Sequence, residues 1–203
     1  MREFIYYSRT APTAGNFSPD LQKAGRIDIA IHVVIAAFFL SRKIRKDTKL
    51  NLLFAGPPTP PRHLTLFPVK DDETGVEKLH LAKTDVSSVL KKLLYKYREG
   101  ENREVFPGFF IEKKGFLEFV DGLKKEGRNL YVLDADGEDI RTAEIKENPV
   151  FILGDHKGLP LKEYKRLKQM CIPVSIGKRV YFASQTVAVV NNEIDRREDE
   201  GRL

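Results

Sequence analysis

The chain carries Val-Phe-Ile-Leu-Gly-Asp-His-Lys-Gly-Leu-Pro at residues 150–160 and Ile-Pro-Val-Ser-Ile-Gly-Lys-Arg at residues 172–179. Both stretches open with a short apolar strand, Val150–Leu153 and Ile172–Ile176, that runs directly into a glycine turn. The segment Leu161–Met170 between them has the pattern of a surface helix, so the unit reads as strand, turn, helix, strand with parallel strands. Open α/β sheets bind ligands just beyond the carboxyl ends of such strands.

Three glycines fall in the two turns: Gly154, Gly158 and Gly177. Glycine accepts a positive φ and lets a ligand approach the backbone closely, because it has no Cβ. A single glycine here is more often an ordinary loop residue. Three of them in two matching turns favour a binding site.

Composition places the chain among globular proteins of one domain, residues 1–203. It has 203 residues, 41% of them hydrophobic and 32% charged, which permits a substantial core. The single cysteine, Cys171, cannot form an internal disulfide, which suits a reducing, cytoplasmic compartment. No leading signal segment is expected, and the longest apolar run, Ile27–Leu40, is shorter than the roughly 20 residues of a bilayer span. We therefore expect no membrane role.

The charge balance favours a polyanionic partner. The formal net charge is +6 and the pI is about 9.3, and a basic surface binds phosphates by releasing their counterions. The basic residues fall into three clusters, each of which alone is more often a solvated face: residues 42–49, residues 91–98 and residues 113–128.

Strand and helix patterns alternate along the chain. We expect a first strand at Arg2–Ser8, a helix from Gly25 to Ser41, a strand at Lys49–Ala55, a helix at Lys83–Arg98 and a final helix at about Ala183–Glu198. Phe109–Gly127 is expected to be helical for much of its length, and Asp71–Gly75 to turn a hairpin back to Lys78–Leu81. This order predicts an α/β fold with a largely parallel sheet flanked by helices.

Helix 25–41 is apolar almost all round, as expected of a helix that is covered on both sides, within the domain or at a subunit contact. His32 within it is more often a hydrogen-bonded core residue than a ligand.

Three predicted loops should meet at one sheet edge: Leu133–Gly137, Gly154–Pro160 and Gly177–Tyr181. A pocket lined mostly by backbone, with a few apolar side chains, suits the adenine and ribose of a nucleoside cofactor. The chain has no phosphate loop, no Gly-x-Ser-x-Gly elbow and no Cys/His metal spacing, so no metal is expected. Asp134, Asp155 and His156 are an alternative acid–base set, although aspartates in turns more often cap backbone groups.

Ile-Leu-Gly-Asp-His-Lys-Gly-Leu-Pro (152–160) and Ser-Ile-Gly-Lys-Arg-Val-Tyr-Phe-Ala-Ser-Gln-Thr (175–186) resemble the cofactor loops of the SPOUT superfamily of RNA methyltransferases. Thr-Ala-Pro-Thr-Ala-Gly-Asn-Phe (10–17), Gly-Arg-Ile-Asp (25–28) and Asn-Asn-Glu-Ile-Asp-Arg (191–196) resemble, more specifically, the archaeal tRNA pseudouridine-54 N1-methyltransferases. The resemblance covers nearly the whole chain and is weakest through residues 68–125.

The resemblance implies a carboxyl-terminal trefoil knot, S-adenosyl-L-methionine bound in it, a tRNA substrate and an obligate homodimer. Helices 26–41 and 183–198 are the expected dimer contacts. The residues that the resemblance assigns to the cofactor pocket are Leu133, Gly154, Ile176, Gly177 and Val180, with Thr186 at its edge. Thr186 lies near a position where several relatives carry cysteine, so the resemblance leaves open whether the Thr186 side chain contacts the cofactor.

The implied reaction moves the sulfonium methyl to N1 of a pseudouridine already present in the RNA. Asp28 is the candidate to assist at N1. An equally weighted alternative is that Asp28 only pairs with the dipole at the start of its helix. Arg9 and Arg26 are candidates to grip phosphate, and Asn16 and Phe17 to hold or stack a flipped base.

Three other functions compete with this one. A pseudouridine methyltransferase of ribosomal RNA would share the chemistry, although such proteins usually carry extra elements for their substrate. A catalytically silent RNA-binding or ribosome-assembly factor would tolerate loss of Gly154 and Gly177, which are present. A nucleotide hydrolase would need the phosphate loop or metal carboxylates that the sequence lacks.

Overall fold

A computed structural model describes residues 1–68 and 83–203, and the predicted hairpin at 71–81 lies outside these residues. Within them, eight strands form a single sheet. The strands are β1 (Arg2–Ser8), β2 (Thr48–Phe54), β3 (Arg62–Leu66), β4 (Arg103–Phe106), β5 (Phe109–Glu112), β6 (Leu130–Asp139), β7 (Val150–Gly154) and β8 (Ile172–Ser175).

The helices of the same residues are α1 (Ile27–Phe38), α2 (Lys83–Tyr95), α3 (Phe116–Lys125), α4 (Leu161–Met170) and α5 (Ala183–Asp199). In this part of the chain, no helix has both the length and the apolar character that crossing a membrane requires.

The sheet is parallel through its larger part. The strand order is β4-β5-β3-β2-β1-β7-β6-β8, and β2, β1, β7, β6 and β8 run parallel to one another. The three strands β3, β5 and β4 continue it in antiparallel pairing at one edge. The prediction of a largely parallel α/β sheet flanked by helices is confirmed.

Alternation along the strands sends apolar side chains into a core on each face. Phe4 and Tyr6 of β1 belong to the core that contains α1, α2 and α5, whereas Ile5 belongs to the core beneath α3 and α4. Successive strand residues point to opposite faces, so a strand buried on both faces is apolar at nearly every position.

Helix α1 is covered within its own chain. It packs against α5, α2 and the sheet, and nine of its twelve residues are buried. This burial explains its apolar surface without a second copy, and the dimer contact expected of α1 stays a prediction. His32 is exposed on this helix and makes an interaction within the chain.

The expected helix at 109–127 is wrong over its first residues. Phe109–Glu112 is strand β5, which pairs with β3 and with the unpredicted strand β4. Alternating burial along Phe109–Glu112 is the pattern of a strand, and Gly108, at φ 77°, turns the chain between β4 and β5. Helix α3 begins only after Gly115, whose backbone N–H donates to Glu118 at 3.2 Å.

The expected loop at 133–137 is also partly wrong. Strand β6 continues to Asp139 and pairs with β8 on both sides of an irregularity between Leu133 and Glu138. Gly137 permits this close return, because a Cβ there would lie 2.6 Å from the backbone nitrogen of Val174.

Candidate functional site

The parallel strands β2, β1, β7, β6 and β8 end at the same edge of the sheet. Leu133 of β6 pairs with Val174 of β8, one residue beyond the point where Val132 pairs with Ile152 of β7. The turns that follow β7 and β8 therefore lie on either side of the irregular part of β6. This arrangement brings together the predicted cofactor residues Leu133, Gly154, Ile176 and Gly177.

Gly154 ends β7 where the following turn folds back onto the strand. A Cβ at this position would lie 2.5 Å from the carbonyl carbon of Gly158 and 2.6 Å from the nitrogen of Leu159. Gly158 has φ 67° and donates its N–H to the carbonyl of Asp155 at 2.8 Å. The turn thus requires glycine at 154, favours it at 158 and is built from backbone.

Gly177 follows β8 with φ 129°, a conformation that side-chain-bearing residues rarely adopt. No heavy atom of the described residues lies within 4 Å of the place where its Cβ would be. Its N–H donates to Ser175 Oγ at 3.0 Å, and the Ser175 hydroxyl reaches the carbonyl of Ala135 at 3.3 Å. The turn is anchored to β6 on one side and open on the other, as close approach by a ligand requires.

The apolar candidates at this edge differ in exposure. Leu133 and Ile176 are partly buried against the core, whereas Val180 is 97% exposed and does not pack into it. Tyr181 and Phe182 continue this exposed apolar segment. Thr186 lies in the first turn of α5 and donates its hydroxyl to the carbonyl of Phe182 at 3.2 Å.

Asp134 is held between β6 and α4. Its carboxylate accepts the hydroxyl of Tyr164, a 3.1 Å ion pair from Lys168 and the N–H of Asp136 at 3.0 Å. Burial alone would raise the pKa of Asp134, but these hydrogen bonds and the lysine charge hold that pKa below its ordinary value. Asp134 thus anchors a turn, as the capping interpretation predicts.

Asp155 connects the turn after β7 to the end of β1, a contact that the sequence did not predict. The side chain is buried, and Oδ1 accepts the N–H of Lys157 at 2.9 Å. Oδ2 accepts the Ser8 hydroxyl and the N–H of Arg9, both at 3.0 Å. Arg9 in turn donates to the carbonyl of Lys157 at 2.8 Å. The turn after β7 is therefore fastened to the end of β1.

The loop that follows Arg9 is seated between two glycines. A Cβ on Gly25, which has φ 62°, would lie 1.9 Å from the carbonyl oxygen of Thr10, and one on Gly56 would lie 2.4 Å from the same oxygen. The Thr10 hydroxyl donates to the carbonyl of Gly25 at 2.9 Å, and the Thr13 hydroxyl to that of Gly56 at 3.0 Å. This long loop has a fixed path across the ends of β1 and β2.

Asp28, which is buried, and Arg26, which is partly exposed, form an ion pair at the start of α1. Arg26 has φ 60° and donates to both carboxylate oxygens of Asp28, at 3.0 and 3.1 Å. The hydrogen bond to Asp28 raises the pKa of Arg26. Nearby, burial, reinforced by the charge of Asp155, raises the pKa of Tyr6 far above its ordinary value. The Tyr6 hydroxyl therefore stays neutral and cannot serve as a base at neutral pH.

The remaining RNA candidates divide by exposure. Arg9 and Asn16 are exposed at the two ends of the loop. Phe17 is 9% exposed and belongs to the core, with the ammonium of Lys91 lying 4.8 Å from its ring centroid. A base cannot stack on this ring unless Lys91 moves, so the stacking role expected of Phe17 is not supported by the structure.

The three basic clusters do not share one surface. In the first cluster, Arg45 pairs with Asp195 and Lys49 with Glu3. Helix α3, which carries Lys124 and Lys125, covers the face of the sheet opposite to α2. The cluster at residues 91–98 is the one that accompanies the loop, because Gly15 packs on the last turn of α2.

One group of three carboxylates in the described residues has its oxygen atoms within 4.8 Å of one another: Asp47, Asp195 and Glu198. The guanidinium of Arg2 donates to all three at 2.6 to 2.7 Å. Arginine thus supplies the positive charge for this group, and the contact ties α5 to the beginning of β1.

Comparison with known proteins identifies a family across almost the full chain. Residues 1–199 match the model of a family described as "Putative SAM-dependent RNA methyltransferase". The chain is 36% identical over 202 residues to the tRNA (pseudouridine(54)-N(1))-methyltransferase of Methanocella arvoryzae, covering 97% of this chain and 100% of that protein. It is also 36% identical to the enzyme of that name from Thermococcus kodakarensis, covering 96% and 99%.

Solved structures show the same fold at low sequence identity. Archaeoglobus fulgidus Nep1 bound to S-adenosylhomocysteine aligns with a TM-score of 0.67 at 13% identity, covering 98% of this chain and 99% of that one. The SpoU methyltransferase AviRb of Streptomyces viridochromogenes aligns with a TM-score of 0.51 at 12% identity, covering all of this chain and 61% of that one.

Proposed function

Because this chain belongs to the family of SAM-dependent tRNA (pseudouridine(54)-N(1))-methyltransferases, we propose that it methylates N1 of pseudouridine 54 in the T-loop of tRNA. The observation that carries the proposal is the shared sheet edge. There the Gly154 turn is fastened through Asp155 to the loop that begins at Arg9, and the Gly177 turn is held to β6 through Ser175. The methyl donor and the RNA would therefore meet at one place.

The residues at this edge suit S-adenosyl-L-methionine. Gly177 presents open backbone in a conformation restricted to glycine, and Leu133 and Ile176 supply apolar surface for an adenine ring. When bound, the cofactor supplies an electrophilic sulfonium methyl group. The protein then has to hold N1 in line with that methyl, which is a large part of the catalytic effect.

N1 of pseudouridine carries a proton, because the base is joined to ribose through carbon. Formation of the new N–C bond breaks the S–C bond of the donor, and the N1 proton must leave to a base or to water. Asp28 is our candidate for assisting this step, and both its oxygens are engaged by Arg26. An RNA phosphate that draws Arg26 away would free the carboxylate at the moment the substrate binds.

The finer architecture is proposed with the function. Residues 1–203 would form one domain in which the segment after Ile176 passes through the loop formed by the preceding strands, giving the trefoil knot of the superfamily. The position of β6 between β7 and β8, and the return of α5 onto α1, are compatible with such a path. A crystal structure in which the chain reaches α5 without passing through that loop would refute the proposed knot.

A homodimer is supported by the exposed segment Val180–Phe182. Its three side chains are apolar or aromatic and 97%, 45% and 67% exposed, and they lie directly after the Gly177 turn. Burial against a second copy would remove this surface from water and complete the wall beside Val180. A monomer in sedimentation equilibrium at micromolar concentration would contradict the dimer. We also place the protein in the cytoplasm and expect transfer to be unaffected by EDTA.

The test is methyl transfer from labelled S-adenosylmethionine into two T-loop transcripts, one with uridine and one with pseudouridine. Label with pseudouridine alone, mapped to N1, is the expected result. Asp28→Asn should lower turnover while leaving cofactor binding intact, and Asp199→Asn, at an exposed carboxylate at the end of α5, is the matched control. Label in pseudouridine-containing ribosomal RNA but not in tRNA would show that the substrate is ribosomal RNA. Absence of cofactor binding in calorimetry would refute the proposal that the protein is a methyltransferase.

A further inference from the structure

An exposed aromatic side chain stands next to the loop that carries Asn16. Tyr95 is the last residue of α2 and is 64% exposed. Gly15 packs directly on it: a Cβ on Gly15 would lie 2.5 Å from Cδ2 of the Tyr95 ring and 2.5 Å from the carbonyl oxygen of Lys91. The ring thus lies beside the loop, with much of its surface open to solvent.

Tyr95 has the exposure that Phe17 lacks. The Phe17 ring is 9% exposed and has Lys91 above it, so its faces are already used. The exposed part of the Tyr95 ring leaves a flat, largely apolar surface on which another ring can stack. The loop therefore offers Tyr95, and not Phe17, to an incoming ring.

Three lysines adjoin Tyr95 in the sequence. Lys91 and Lys92 precede it by four and three residues, which places them on the same side of α2, and Lys96 follows it. Lys92 and Lys96 form no ion pair within residues 1–68 and 83–203. An aromatic face flanked by unpaired ammonium groups is the arrangement with which proteins bind single-stranded nucleic acid, by stacking a base and neutralising the adjacent phosphates.

We propose that Tyr95 is a stacking platform for an unpaired base of the RNA substrate, with Lys92 and Lys96 binding the flanking phosphates. This inference rests on the proposed function, since it takes RNA as the substrate. The loop between Arg9 and Asn16 connects Tyr95 to the edge of the sheet that holds the cofactor residues. A base stacked on Tyr95 would therefore hold the RNA strand in place while N1 of the pseudouridine is positioned for methyl transfer. Unpaired loop bases are the parts of RNA that proteins usually recognise in this way.

The test separates stacking from packing by using three substitutions at one position. Tyr95→Ala removes the ring, Tyr95→Leu keeps apolar bulk beneath Gly15, and Tyr95→Phe keeps a stacking face. We expect the dissociation constant for a fluorescein-labelled, pseudouridine-containing T-loop transcript to rise about 5- to 150-fold in Tyr95→Ala and Tyr95→Leu. Tyr95→Phe should bind within about twofold of the wild type, and binding of S-adenosylhomocysteine should be unchanged in all three.

The lysines are tested by the salt dependence of the same titration. Lys92→Ala and Lys96→Ala should each reduce the slope of log affinity against log salt concentration by about 0.7 to 0.9, whereas Tyr95→Leu should leave the slope unchanged. Lys125→Ala, on the opposite face of the sheet, is the matched control and should have no effect.

Two results overturn the inference. Wild-type binding and transfer by Tyr95→Leu would show that the ring does not contact RNA. Equal losses in Tyr95→Phe and Tyr95→Ala would assign the effect to something other than the aromatic face. Failure of the wild-type protein to bind the transcript would instead refute the proposed substrate itself, and the inference with it.

Discussion

Replacement of Asp155 by asparagine should loosen the cofactor turn and the RNA loop together. Asp155 is 7% exposed and accepts three hydrogen bonds, from Lys157 on one oxygen and from Ser8 and Arg9 on the other. Asparagine has the same shape but offers one acceptor oxygen and one donor group. Whichever way the amide is turned, at least one N–H of the protein faces another N–H.

The size of the effect follows from these contacts. The amide oxygen is best placed toward Ser8 and Arg9, which leaves the amide N–H₂ against the N–H of Lys157. One charge-assisted hydrogen bond is lost and a buried donor remains unsatisfied, at a cost of about 2 kcal/mol. For a chain of this length that corresponds to a fall of roughly 4 to 8 °C in Tm.

Chemical and thermal unfolding of Asp155→Asn and of the control Asp136→Asn would measure this loss. Asp136 belongs to the same sheet edge but is exposed, so its variant should unfold like the wild type. The Ser8→Ala and Asp155→Asn changes should also be non-additive in a double-mutant cycle, because the Ser8 hydroxyl donates to the side chain that the second change alters. A free energy of unfolding within about 0.5 kcal/mol of the wild type for Asp155→Asn would refute the reasoning.

Three other substitutions test the remaining contacts. Gly154→Ala should abolish measurable binding of S-adenosylhomocysteine in calorimetry, because its Cβ would lie 2.5 Å from backbone. Normal binding by this variant would contradict the close packing of the turn. Gly122→Ala, in open space on α3, should instead stabilise the protein by about 0.5–1 kcal/mol. Gly25→Ala should weaken binding of the RNA transcript and lower Tm, since the new methyl would lie 1.9 Å from the Thr10 carbonyl; unchanged binding would show that the loop is not held there. Burial lowers the pKa of His63 despite its bond to a carboxylate, so this histidine takes up its proton at a higher pH in the unfolded chain than in the folded one. The free energy of unfolding should therefore fall by up to about 1.4 kcal/mol per pH unit as pH drops below about 6.5. His63→Gln should remove this part of the pH dependence in urea titrations from pH 7 to 5.5, and an unchanged dependence would show that other groups cause it.

Local pattern was sufficient to predict most elements. The helix predicted at Leu161–Met170 has those bounds in the structure, and the strands at 2–8 and 150–153 are present within a residue or two. The prediction was wrong at Phe109–Glu112, because these four residues precede a longer amphipathic run and were included in its helix. Their strand identity depends on β3 and β4, which lie far away in sequence or carry little pattern of their own.

The candidate site divides in the same way. The glycine turns at 154 and 177 were found because their spacing after two apolar strands is visible in the sequence. The connection from Asp155 to Ser8 was not, because it joins residues 147 positions apart. An aspartate after a glycine turn signals a cap, but nothing in the sequence names its partner.

The sequence by itself determined the alternation of strands and helices, the parallel sheet and the glycines that keep its edge open, because each depends on neighbouring residues or on backbone freedom at one position. Only the tertiary structure decided which aromatic ring faces solvent and that Asp155 holds Ser8 and Arg9. It also covered α1 within the chain and placed the basic clusters on opposite faces of the sheet. These outcomes depend on contacts between segments distant in sequence, and burial is a property of the packed chain as a whole.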